Sequence, residues 1–250
     1  MLLNLLQASY DGQSQLMANL TTSEAFLMVL IVGIAGMIVQ WRLRSVMSKY
    51  SRVALPGGMT GTEIAEKMLR ENGVSNVAIT HTRGYLTDHY NPQTMTVNLS
   101  DEVYNGRSIT AAAVACHECG HAIQHAQGYA PLKMRSSLVP LVQVSSTVST
   151  WLVIIGLIMT ASSGSQMLCW IGVGLMCISA LFSIITLPVE YNASDRALEW
   201  LESRGVLVGE ELDGAKISLR WAARTYLVAA LSAIASILYY VALINGRRRN

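Results

Sequence analysis

Hydrophobic positions along this chain fall into long uninterrupted runs, and the polar positions collect in two stretches between them. From Arg135 to Glu190 there is no intervening Asp, Glu, Lys or Arg, a run far longer than the roughly 20 residues that cross a bilayer as one helix. The small polar stretch "ASSGSQ", Ala161 to Gln166, divides it into segments 138–160 and 167–187, which predicts a helical hairpin. Two further apolar segments, 25–41 and 226–244, bring the expected membrane helices to about four. Around them the pattern leaves an N-terminal segment 1–24, a polar region 42–135, a second polar, helical region 188–225 and a basic tail 245–250. The opening "MLLNLLQASYDG" lacks the basic stretch of a secretory signal, and Arg42 and Arg44 follow the first span where a cleavage site would need small residues. That span is therefore expected to be retained.

Within the polar regions the periodicity changes. "TGTEIAEKMLRENG" offers Thr60 or Thr62 as an N-cap, apolar Ile64, Met68 and Leu69 at helical spacing, and Gly73 where a helix would stop. "NVAIT" and "TMTVNLS" are β-type runs separated by the turn-rich "RGYLTDHYNPQ". "NGRSIT" then opens a helix capped by Ser108 that runs to about Gln127, and a further helical pattern from Glu190 to Arg204 stops at Gly205. The fold class expected is mainly α, a polytopic membrane protein with a small α+β domain.

Composition agrees: 52% of the 250 residues are hydrophobic and 14% charged, too apolar for an ordinary soluble domain. A net charge of +2 gives no argument for nucleic acid, so the lipid bilayer is the partner implied. Ten basic residues lie in 42–135 and five in 196–224, which the positive-inside rule makes cytoplasmic. Arg247, Arg248 and Arg249 conflict with that rule if 226–244 crosses fully, and a tilted segment, a re-entrant one or an exception to the rule are the alternatives. Cys116, Cys119, Cys169 and Cys177 show no extracellular disulfide framework.

The chemistry is concentrated in "VACHECGHAIQHA". His117-Glu118-Cys119-Gly120-His121 fits H-E-x-x-H, whose helical spacing places both histidines on one face, one turn apart, within reach of one zinc ion. Glu118 then sits beside the metal, where a carboxylate can take the proton of a water attacking a carbonyl. His125 continues the stripe, but a rise of about 1.5 Å per residue puts it roughly 12 Å from His117, beyond zinc bonds of about 2 Å. It is expected to pack or hydrogen bond instead. Cys116 and Cys119 point about 100° to either side of the histidine face and read as buried small residues. A third ligand must come from elsewhere, and Glu190 is the strongest candidate, because the hairpin returns the chain to the side of the membrane it left. Its alternative is a solvated charge at the membrane boundary.

The segments "GYLTDHYNP", "TVNLS", "AVACHECGHAIQHA" and "LPVEYNASDRAL", in this order and with these spans around them, resemble the YugP-like family of bacterial membrane zinc metallopeptidases over roughly Leu55 to Ile244. The resemblance implies a zincin-like catalytic domain in the bacterial cell (inner) membrane, one Zn2+ per chain on His117, His121 and Glu190, and Glu118 as the base. It also implies that Glu190-Tyr191-Asn192-Ala193 supplies an E-x-x-A motif. Related gluzincins often carry an aspartate four residues after the ligand glutamate. This chain has Ser194 there and Asp195 one place later, so Asp195 is either a partner of a zinc histidine or a solvated residue. His89 or Tyr90 could supply a donor to the developing oxyanion, with a structural turn as the competing reading.

Two functions fit these residues. One is a membrane-embedded zinc endopeptidase acting on peptides or membrane-near proteins, with its substrate held extended beside "TMTVNLS" as an edge strand. The other is a non-enzymatic scaffold in which zinc ties the polar regions together. Glu118 favours the first, since a structural site has no need of a base. The spans carry no ionisable residue that would mark an ion path.

Overall fold

The computed structural model describes residues 20–163 and 166–249. Most of the expected N-terminal segment, residues 164 and 165 of the expected hairpin turn and Asn250 of the tail lie outside them. Seven helices and three strands are described: α1 (Thr22–Tyr50), α2 (Gly61–Glu71), β1 (Ala78–Thr82), β2 (His89–Asn91), β3 (Thr96–Ser100), α3 (Asp101–Tyr104), α4 (Ile109–Ala126), α5 (Ala130–Ser163), α6 (Met167–Ser203) and α7 (Glu210–Arg249). The chain is thus mostly helical with one small sheet. Four helices, α1, α5, α6 and α7, are long and apolar enough to cross a membrane.

These four extend well past the apolar segments. α1 continues beyond Trp41 through Arg42 and Arg44 because Leu43 and Met47 find buried positions. α6 runs through Pro188, which removes one backbone hydrogen bond without ending the helix. The break falls at Gly205, in the left-handed region at φ 62, as the glycine after Arg204 suggested. α7 is unbroken from Glu210 to Arg249, so the expected span and the basic residues that follow it share one helix.

The chain divides into two compact units. The first contains the described parts of 1–36, 138–183 and 228–250. Val153, Cys169, Val173 and Ile244 form its buried cluster, while Phe26, Leu30, Ile31, Trp151, Ile158 and Leu231 are among many large apolar side chains left exposed. Exposed apolar surface on this scale needs a nonaqueous neighbour.

The second unit, 37–137 and 184–227, contains the sheet and the histidine helix. The two β-type runs become β1 and β3, which pair in parallel with Ile79 opposite Val97. The sheet order is β1-β3-β2, so β3 is central and the expectation that it forms an edge is corrected. The edge beside it is β2, three residues inside what reads as a turn, paired antiparallel with Tyr90 opposite Val97. Asn91 turns the chain into β3 by accepting from the backbone N–H groups of Gln93 and Thr94. Helix α2 is closed by a capping box between Thr60 and Glu63, and Ser108 caps α4 by accepting from Ala111 N–H at 3.2 Å.

Almost all of α4 is buried. Its small residues let neighbouring backbones approach, most closely at Gly120, where an added Cβ would stand 2.6 Å from the carbonyl oxygen of Ala193 on α6. Gly120→Ala is therefore expected to cost about 1–3 kcal/mol by overpacking and to lower the thermal midpoint in detergent by several degrees. Gly174→Ala, with open space around its new methyl, should leave the midpoint unchanged or raise it, because alanine is the better helix former.

Candidate metal centre

Helices α4 and α6 bring three side chains together. His117 Nε2 lies 3.3 Å and His121 Nε2 3.5 Å from Glu190 Oε2, and the three potential ligand atoms are all within 4.8 Å of one another. Atoms bound tetrahedrally at zinc distances of 2.0–2.1 Å stand about 3.3–3.4 Å apart. Two nitrogens and one carboxylate oxygen are a donor set that zinc accepts with a coordination position left open. The residues fit a metal ion in number, type and spacing.

The other atoms of these side chains are also held. Ser194 Oγ is 3.1 Å from His117 Nδ1, and Gln124 Oε1 is 3.0 Å from His121 Nδ1. Gln124, fully buried, donates from Nε2 to the Val189 carbonyl at 2.8 Å and to Asn192 Oδ1 at 3.0 Å. Its oxygen therefore faces His121 as an acceptor. That arrangement keeps the proton on Nδ1 and the lone pair on Nε2, toward Glu190. Arg196 donates to the same Asn192 oxygen at 2.8 Å. On the far side of the carboxylate, Arg135 NH1 is 3.3 Å from Glu190 Oε1, an ion pair without hydrogen-bond geometry.

Glu118 leaves the helix on the side of β2, where Tyr90 N–H donates to its Oε2 at 2.9 Å. Burial pushes its carboxyl up to about 7; His117 opposes the shift, Glu190 and Asp88 add to it, and the Tyr90 N–H draws it back. A cation beside it would lower it again. Over Glu118 and His117 opens a cleft of about 170 Å³, bounded by Leu43 and Met47 of α1, Leu219, Ala222 and Tyr226 of α7, and Leu86 and Asp88. Leu86 adopts a left-handed backbone at φ 57, a conformation uncommon for a residue with a branched side chain.

The other expected residues are placed differently. His125 stands apart and hydrogen bonds through Nδ1 to Tyr90 Oη at 2.7 Å. Tyr90 touches the site through its backbone N–H, not its ring. His89 is exposed and bonded to the Thr87 carbonyl at 2.8 Å, and Asp195 is exposed, so neither joins the cluster. Ser194, four residues after Glu190, is the one that meets His117. Cys116 and Cys119 are buried, and burial raises both thiols, consistent with packing rather than ligation.

Sequence reasoning did not find Gln124, Arg135 or Tyr226. Gln124 left one trace, a glutamine three residues after the second histidine in an otherwise small and apolar helix. Arg135 and Tyr226 left none, since each looks like the border of a span.

Comparison with known proteins gives the family. A family model described as "Putative neutral zinc metallopeptidase" matches residues 25–245. The chain is 41% identical over 212 residues to "Putative membrane protease YugP" of Bacillus subtilis (strain 168), covering 84% of this chain and 92% of that one. No solved structure matches. With nearly its whole length matched by the family model and two fifths of its aligned residues shared with that relative, the chain belongs to the YugP-like family described as "Putative neutral zinc metallopeptidase".

Proposed function

We propose that this protein is a membrane-embedded, zinc-dependent endopeptidase with a zincin-like catalytic unit, hydrolysing peptide bonds of membrane or membrane-near proteins. The observation that carries the reading is the meeting of His117, His121 and Glu190 with the buried carboxylate of Glu118 beside them. In this reading the first three residues hold one zinc ion and Glu118 is the general base. When bound, zinc polarises the scissile carbonyl and lowers the pKa of water.

The chain's own groups do the rest. Glu118 takes the proton of the attacking water and passes it to the leaving amine, and the Tyr90 N–H keeps its carboxylate turned toward the cleft. Strand β2, at the sheet edge, offers backbone groups to an extended substrate. Tyr226, on the cleft wall, replaces His89 as the side chain with access to a developing oxyanion. A site serving only to tie two segments together gives the buried Glu118 no task. Fifteen basic residues on the polar stretches that carry the site support a multi-pass protein of the bacterial cell membrane with the site on the cytoplasmic face.

Elemental analysis of the purified protein is expected to find about one zinc per chain. His117→Ala and Glu190→Ala should lose it, whereas His125→Ala should keep it; full retention in Glu190→Ala would remove that residue from the ligand set. Gln124→Leu, which deletes the acceptor on His121, should weaken zinc binding by about 10–100-fold in competition with a chelator. Glu118→Gln should retain zinc and lose about 10²–10⁴-fold in rate on any cleaved membrane protein or peptide. Wild-type cleavage by that variant would return the site to a structural role.

A further inference from the structure

Where the apolar stretches of α1 and α7 give way to charge, four side chains form one cluster. On α1, exposed Met37 and Ile38 are followed by Trp41, 64% exposed, and by Arg42. On α7, Trp221 and Arg224 stand just before exposed Leu227. Arg42 Cζ is 5.7 Å from the centroids of both indoles, and Arg224 Cζ is 4.1 Å from that of Trp221. One indole therefore holds two guanidiniums. Both arginines are exposed, and neither takes part in an ion pair among the described residues.

Two like charges on one ring repel, and the negative face of an indole offsets only part of that repulsion. An anion reaching both would offset the remainder. The guanidinium fork matches the oxygens of a phosphate. Tryptophans at the end of an apolar helical surface sit at the headgroup level of a bilayer, so the neighbouring exposed side chains would lie along acyl chains. We infer that Arg42, Trp41, Trp221 and Arg224 form a binding site for the phosphate of an anionic phospholipid. Leu43 and Thr225, the next residues on each helix, line the cleft over Glu118. A lipid held here braces two of the cleft's walls. Binding itself requires neither zinc nor peptidase activity, so its test stands apart from the functional reading above.

The full chain, purified in a neutral detergent, can be titrated with phosphatidylglycerol, phosphatidylcholine or inorganic phosphate. Lipid retention is followed by native mass spectrometry and stability by thermal unfolding. Phosphatidylglycerol is expected to be retained and to raise the thermal midpoint, and phosphatidylcholine is not. Arg42→Gln/Arg224→Gln should weaken phosphatidylglycerol binding on the order of thirtyfold, from about fivefold per basic residue. Arg70→Gln/Arg83→Gln, which removes the same charge elsewhere, should leave it unchanged. If inorganic phosphate alone raises the wild-type midpoint but not that of the Arg42/Arg224 variant, the phosphate chemistry holds and the source is free anion instead of lipid. Should the double variant fail to fold, the single variants carry the test at about fivefold each. Equal phosphatidylglycerol binding by wild type and these variants, or equal retention of phosphatidylcholine, would overturn the site.

Discussion

The carboxylate of Glu190, a residue only 1% exposed, is the constraint to which the second compact unit is fitted. Taking such a group out of water costs several kcal/mol unless charge and hydrogen-bonding partners replace its hydration. Here the partners come from two successive helices, α4 and α5, both far from Glu190 in sequence: His117 and His121 on one oxygen, Arg135 beside the other. The carboxylate can reach the histidines only if α6 runs close to α4, and the closeness is provided by Gly120 against the Ala193 backbone. The glycine just before the second histidine is thus a packing requirement of the site, not an incidental spacer.

Gln124 shows how the same economy sets chemistry. A buried amide must satisfy both its ends, and this one does so by bonding α6 at Val189 and Asn192 and by receiving the His121 proton. One side chain thereby joins two helices and fixes which nitrogen of a histidine carries a lone pair. Ser194 plays the corresponding part for His117 from α6. The histidines are aimed by residues on the two helices themselves, so their geometry does not depend on loops.

What the sequence made legible follows from the range of the forces involved. Apolar runs, the N-cap offered at Thr60 or Thr62, the Ser108 cap and the i, i+4 histidines are local, and each appears close to where its pattern lies. Glu190 was reachable because a hairpin constrains its two ends. Strand β2 was not, since "HYN" has turn residues around it and owes its extended form to pairing with β3 and to the hydrogen bond from Tyr90 to Glu118. For the same reason β3 looked like an edge and is central. Of the two readings left open for Asp195 the solvated one holds, because a helix offset by one residue turns a side chain by about 100°, enough to place Ser194 inward and Asp195 in solvent. Arg135 and Tyr226 sit at the ends of apolar runs, where a pattern of hydropathy says only that a span stops.

The electrostatics of the cleft argue for what completes it. Asp88 and Glu190 are close enough to raise the Glu118 carboxyl, and burial raises those of Asp88 and Glu118. Ser100 answers Asp88 with its backbone N–H at 2.7 Å and its hydroxyl at 3.0 Å, and Arg135 answers Glu190. Glu118 has a single backbone N–H. Among these groups three carboxylates face the one guanidinium of Arg135. A divalent cation between His117, His121 and Glu190 would offset that excess and allow Glu118 to stay ionised in a buried place, which is the state a base must occupy before it can accept a proton.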